Sequence, residues 1–299
     1  MTELIDQELF KLRQNWYAPN SPAMFEMVKT MKDCEVAFLG GKTIMPLFEK
    51  RATPIRQIKS HAVSYLLKNF EAFDFYNKPY NIYNSVASFE NMPMASFSPI
   101  KRKQQQNAFF DNIAYDLCMK GYDFFLDLDA EKIDRKEKIS EVPANEIVEN
   151  IKDYYLIDEM YADAKRLKGI LDEFGLQYSV KFSGLKGFHF IIKDKNIFPQ
   201  NITCKEKVIL AEKLASNLKA LEDIPCLDDS IYDKTRIMKT AFSLEGYLVA
   251  LPLSDKDFSE WDISKMRIDK VLQNNIIRNK GLLERKSKGL EKEFLKVYG

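Results

Sequence analysis

Histidine and cysteine are scarce in this sequence. There are two histidines, His61 and His189, and four cysteines, at 34, 118, 204 and 226, with no Cys-x-x-Cys among them. That scarcity excludes a zinc knuckle built from neighbouring ligands, so no zinc is expected. The cysteines read as reduced intracellular thiols. Long apolar runs are missing too: none reaches the roughly 18 residues that a membrane span needs. The acidic start Met1-Thr2-Glu3-Leu4-Ile5-Asp6 also lacks the basic region of a signal peptide. The expectation is a cytoplasmic protein, nuclear if the source is eukaryotic, with no membrane partner. Excess charge of one sign is absent, since 45 Lys and Arg face 44 Asp and Glu for a net charge of +1. Any nucleic-acid affinity must therefore come from local patches. Internal repeats and low-complexity tracts are lacking as well. What is present is 299 residues, 45% hydrophobic and 30% charged. That is enough to bury the core of one large domain or two intimate subdomains.

Along the chain, residues 3–32 read as mainly helical, broken by a turn at Ala18 to Pro22. Cys34 to Leu39 is β-capable and ends at Gly40-Gly41. Residues 42–79 carry Lys50, Arg51, Arg56 and Lys59 and a helix around His61 to Phe70. Those charges either line a nucleic-acid path or solvate a surface. Tyr80 to Phe89, entered through Pro79, is rich in β-branched and aromatic residues and reads as a strand. Lys101-Arg102-Lys103 follows in a polar linker. Tyr122 to Asp129 reads as one buried strand, and 131–142 as a charged connection. From Pro143 to Phe174 apolar residues recur at helical spacing up to Gly175, with Met160, Tyr161 and Leu167 as core contacts. A further helix runs from Cys204 to about Leu221.

Three stretches carry chemistry. In the first, Asp127 and Asp129 end the apolar strand at i and i+2, so both carboxylates leave the same face. Two such charges repel, and a divalent cation between them is the obvious remedy. The second, Ser183-Gly184-Leu185-Lys186-Gly187-Phe188-His189, reads as a glycine turn between strands. Its hydroxyl, ammonium and imidazole groups suit an anion such as a triphosphate, and His189 faces away from Phe188 and Phe190. The third places Asp228, Asp229 and Asp233 shortly before Arg236 and Lys239, with Ser243 beyond.

The order Asp127-x-Asp129, Ser183-Gly-x-Lys-Gly-x-His189, then an acid before Arg236-x-x-Lys239 and Ser243 resembles the archaeo-eukaryotic primase superfamily. It is most similar to the small catalytic subunits of DNA primase. Cys34-Glu35-Val36-Ala37-Phe38 and Ile82-Tyr83-Asn84-Ser85-Val86-Ala87 resemble two upstream elements of those subunits, so the likeness spans about residues 15 to 255. It implies a mixed α/β catalytic core over 1–258. An N-terminal α/β unit would take about 1–120, and a metal and nucleotide unit resembling an RNA-recognition fold about 121–258. It implies two Mg2+ or Mn2+ ions on Asp127, Asp129 and Asp228, with Asp229 as the other candidate for the third carboxylate. Ser183, Gly184, Lys186 and His189 would hold the nucleotide phosphates, with Arg236 and Lys239 beside them. The implied activity is template-directed nucleotidyl transfer making primers on single-stranded DNA. The substrates would be ribo- or deoxyribonucleoside triphosphates, and the partner a large regulatory primase subunit. A primer-extending repair or end-joining polymerase, or a non-catalytic nucleic-acid-binding paralogue, are the alternatives.

The sequence departs from those subunits in three places. Cys34 stands for an arginine, Ser243-Leu244-Glu245 lacks the usual histidine, and the cysteine cluster is absent. Residues 259–299 form a basic C-terminal segment that either tracks template phosphates or packs through Ile268, Val271, Leu272, Ile276 and Ile277.

Overall fold

The stretch from Tyr122 to Asp129 forms two strands rather than one. β3 (Met119–Tyr122) ends and β4 (Phe124–Asp129) begins on either side of Asp123, and the two enter different sheets. Asp123 makes the break. Its carboxylate takes the Lys193 ammonium at 2.8 Å and the backbone N–H of Asp194 at 3.1 Å, so it cannot continue the alternation of a single strand. These long-range partners are invisible in the local pattern. The structure, a computed structural model, describes residues 11–12, 15–17, 21–30, 34–39, 81–89, 119–130, 155–234, 236–245, 247–274, 277 and 290–299. The basic segment within 42–79, the expected helix at 61–70, the linker at 101–103, the connection at 131–142 and most of 275–289 lie outside the described residues.

The first sheet joins β1 (Cys34–Leu39), β2 (Asn81–Phe89), β3 and β7 (Ile237–Lys239), all pairing antiparallel with β2. The second joins β5 (Tyr178–Phe182), β6 (Gly187–Ile192) and β4, with β10 (Pro252–Leu253) on its edge. A small hairpin pairs β8 (Leu244–Glu245) with β9 (Leu248–Val249). The fold is thus mixed α/β, as expected.

One face of the second sheet is apolar, with Leu126, Leu128, Val180, Phe182, Phe188 and Phe190 all buried. Against these strands packs α2 (Tyr155–Glu173), which follows α1 (Pro22–Thr30). The expected helix stop at Gly175 is found there, in the left-handed conformation (φ 60) that glycine adopts without strain. Helix α3 spans Cys204–Leu221, as expected, and opens with a capping box between Thr203 and Glu206. Short helices α4 (Asp255–Ser259) and α5 (Ile268–Gln273) precede α6 (Glu291–Tyr298). In the C-terminal segment Ile268, Val271 and Ile277 are buried as expected, whereas Leu272 is exposed. Helix α6 packs on α3, where Asn217 donates to the Tyr298 carbonyl at 2.8 Å. Among the described residues no helix is long and apolar enough to cross a membrane.

Candidate active site

Strand register builds the site. In the β4–β6 ladder Asp127 is opposite His189, and in the β5–β6 ladder His189 is opposite Lys181. On the other side of β4, residues 226–228 run as an irregular antiparallel strand. Leu227 bridges Leu128, Asp228 donates its N–H to the Asp127 carbonyl at 2.8 Å, and Asp129 donates to the Cys226 carbonyl at 2.9 Å. Register partners project from the same face. The result is one row of ionisable side chains across four strands: Asp228, Asp127, His189, Lys181. Asp129 and Gly187 form the next row.

The glycine turn sets the spacing. Ser183 N–H closes it on the Gly187 carbonyl at 2.8 Å, and Gly184 takes a φ of +100, which a side chain would strain. Above the row stands the first sheet, where β7 places Lys239 opposite Tyr83 of β2. Between them lies a cleft of about 250 Å³, whose lining includes Asp127, Asp129, Ser183, Lys186, His189 and Arg236. Lys239, Glu245, Tyr83 and Phe125 also line it.

Charge is tightly matched inside. Arg236 Nη2 lies 3.2 Å from Asp127 Oδ2, His189 Nε2 lies 3.4 Å from Asp127 Oδ1, and Lys186 Nζ lies 3.6 Å from Asp129 Oδ1. Burial raises the Asp127 carboxyl to about 7. Arg236 opposes that shift, while the Asp129 and Asp228 carboxylates add to it. Burial, with the charges of Lys181, Lys239 and Arg236, holds His189 well below the usual imidazole range, so the ring is neutral. Its Nδ1 is buried without a hydrogen-bond partner.

The two candidates for the third carboxylate separate cleanly. Asp228 is buried in the row, its Oδ1 accepting from Ser230 N–H at 3.0 Å and Ser230 Oγ at 2.6 Å. Asp229 points to α3, accepting from Lys219 at 3.1 Å and Ser216 at 3.3 Å. Burial pushes Asp229 up, but the Lys219 hydrogen bond and its companions bring it below the usual carboxylate range. Asp233 contributes its carbonyl, which accepts from the Tyr122 hydroxyl at 3.2 Å.

Three neighbouring carboxylates, two of which raise the third, are a fitting donor set for a hard divalent cation. As the side chains are placed, no group of three or more His, Cys, Asp or Glu among the described residues is positioned to share an ion. Arg236 lies on Asp127 and Lys186 on Asp129 instead.

Sequence reasoning missed Lys181, Tyr83, Phe125 and the role of Glu245 as a lining residue. Lys181 had a signal. Ser179, Lys181 and Ser183 alternate with Val180 and Phe182 and so share the His189 face.

These elements define a mixed α/β class in which two antiparallel sheets flank a charged cleft. In particular, the fold is similar to the polymerase domain from Mycobacterium tuberculosis ligase D in complex with DNA, with a TM-score of 0.50 and 12% sequence identity over 96% of this chain and 92% of that one. No protein-family model matches the sequence, and no curated protein matches it by sequence.

Proposed function

We propose that the chain is a DNA-templated nucleotidyltransferase of primase–polymerase type. It would join a nucleoside triphosphate to a 3′-hydroxyl with release of pyrophosphate. The observation that carries this reading is that Asp127, Asp129 and His189 line one cleft together with Lys186, Arg236 and Lys239, with Asp228 beside Asp127 in the row: carboxylate oxygens and anion-binding donors meet there.

Mg2+ or Mn2+ held by Asp127, Asp129 and Asp228 would lower the pKa of the attacking hydroxyl and neutralise charge on the leaving pyrophosphate. The protein's own groups bind and orient. Lys186 and Lys239 take phosphate oxygens, the neutral His189 offers Nε2–H as a donor, and Ser183 adds its hydroxyl. Arg236, which lies on Asp127, would serve as a further phosphate donor if a metal took that carboxylate. Catalysis then rests on positioning and electrostatics.

Two roles share this chemistry: making primers as a DNA primase catalytic subunit, and extending existing ends in repair or end joining. The structural neighbour is a ligase's polymerase domain in complex with DNA, so the second role fits at least as well. Labelled nucleotides, magnesium or manganese, and primed against unprimed single-stranded DNA separate them, with Asp127→Ala/Asp129→Ala as control. Products on unprimed template identify a primase, and products on primed template alone identify either an extending polymerase or a primase catalytic subunit that needs its partner subunit to initiate. Synthesis that survives in the control, or no synthesis under any condition, sinks the reading.

A further inference from the structure

Glu245 is a cleft carboxylate that stands apart from the row on β4 and 226–228. It lines the cleft from β8. That short strand is fixed by pairing Leu244 with Val249 and Glu245 with Leu248, and by the Leu244 N–H donating to the Tyr17 hydroxyl at 2.8 Å. Glu245 Oε2 pairs directly with Lys239 Nζ. The lysine is fixed as well: β7 sets it opposite Tyr83, and its own carbonyl accepts from Lys181. The Lys239 side chain is only 9% exposed, against 28% for Glu245. An ammonium so enclosed needs a counter-charge.

The other ion pairs of the cleft, Lys186 with Asp129 and Arg236 with Asp127, involve carboxylates assigned above to metal binding. Their partners can be exchanged when metal and phosphate bind together. Glu245 lies on a different element and is not among those carboxylates. Carboxylate and phosphate oxygens compete for the same ammonium donors. We propose that Glu245 is a built-in competitor for the polyphosphate of the nucleotide, holding Lys239 in an ion pair that the phosphates must displace. The carboxylate thereby weakens the grip on triphosphate and recaptures Lys239 as pyrophosphate leaves.

This inference rests on the cleft being a phosphate site, and the test distinguishes the two. Binding of inorganic tripolyphosphate to the full chain is measured by calorimetry with no divalent ion added, for wild type, Glu245→Gln, Lys239→Ala and the double variant. Glu245→Gln is expected to tighten binding about fivefold, the scale of a partly exposed ion pair. Glu245→Ala moves it in the same direction. Lys239→Ala weakens binding, and on that background Glu245→Gln has no further effect. The inhibition constant of pyrophosphate in synthesis falls by the same factor in Glu245→Gln. If Lys239→Ala weakens binding while Glu245→Gln leaves it unchanged or weaker, the competitor role is overturned and the phosphate site stands. If no variant binds tripolyphosphate, the phosphate-site reading fails and the inference fails with it.

Discussion

Gly187 lies opposite Asp129 in the β4–β6 ladder, and a Cβ on Gly187 would collide with the carbonyl oxygen of Leu128. The obstacle is backbone, so the strand itself would have to move. Gly187→Ala is expected to cost about 1–3 kcal/mol in urea unfolding, and to reduce nucleotidyl transfer further by displacing Asp129. Gly169, inside α2, has open space where a Cβ would sit. Gly169→Ala should therefore gain up to about 1 kcal/mol from helix propensity. Equal behaviour of the two variants would contradict the close strand approach.

Asp228 and Asp229 are neighbours with opposite fates. Asp228→Asn is expected to abolish synthesis, as is Asp129→Ala, with both proteins still folded by circular dichroism. Asp229→Asn loses an ion pair to Lys219 that is about one-third exposed, so it should stay active and lose less than about 1 kcal/mol. Measurable synthesis by Asp129→Ala would remove the metal assignment, and loss of activity in Asp229→Asn alone would reverse the choice between the two aspartates.

His189→Ala should chiefly raise the KM for nucleotide, by about tenfold for one lost donor to a charged phosphate. Because the ring is held neutral while the Asp127 carboxyl is raised to about 7, a break in nucleotide affinity near neutral pH should belong to Asp127 and be shared by wild type and His189→Ala. Steady-state kinetics across neutral pH check both points, and unchanged nucleotide kinetics in the variant would count against a phosphate contact.

Lys181 gives a stability signature. Burial and the Lys239 charge lower it to about 7 from 10.5, with Asp127 opposing. Between those values the unfolded chain binds more protons than the folded one, so this group makes folding more favourable as pH rises through that window. Below it both states are protonated and the contribution is flat. Lys181→Met removes the effect. Wild-type stability minus that of the variant should climb from about pH 7 towards pH 10 in thermal melts, and a constant difference would argue against a buried, titrating lysine.

Much of this was legible in the sequence, for reasons that differ by residue. The period of a strand was enough to place Asp127 and Asp129 on one face, and the apolar alternation of Phe188 and Phe190 was enough to turn His189 the other way. The end of α2 at Gly175 and the span of α3 followed from local pattern and capping. What was not legible depends on pairings between distant segments. Arg236 reaches Asp127 across 109 positions, because β7 is carried there by its ladder with β2. The strand break at Asp123 depends on Lys193 and Asp194. Glu245 follows Ser243 without any local mark of the lysine it faces.

The sequence has only two tryptophans, and the fold sets one behind each side of the cleft. Trp16 donates its indole N–H to the Phe242 carbonyl at 2.8 Å, just ahead of β8. Trp261 lies against Phe188, ring centroids 5.0 Å apart, next in sequence to His189. The molecule therefore carries its own pair of fluorophores, one sensing the hairpin that bears Glu245 and the other the strand that bears the imidazole. Replacing either with phenylalanine would leave a single emitter, so the two walls could be watched separately, without a label, as a nucleotide arrives.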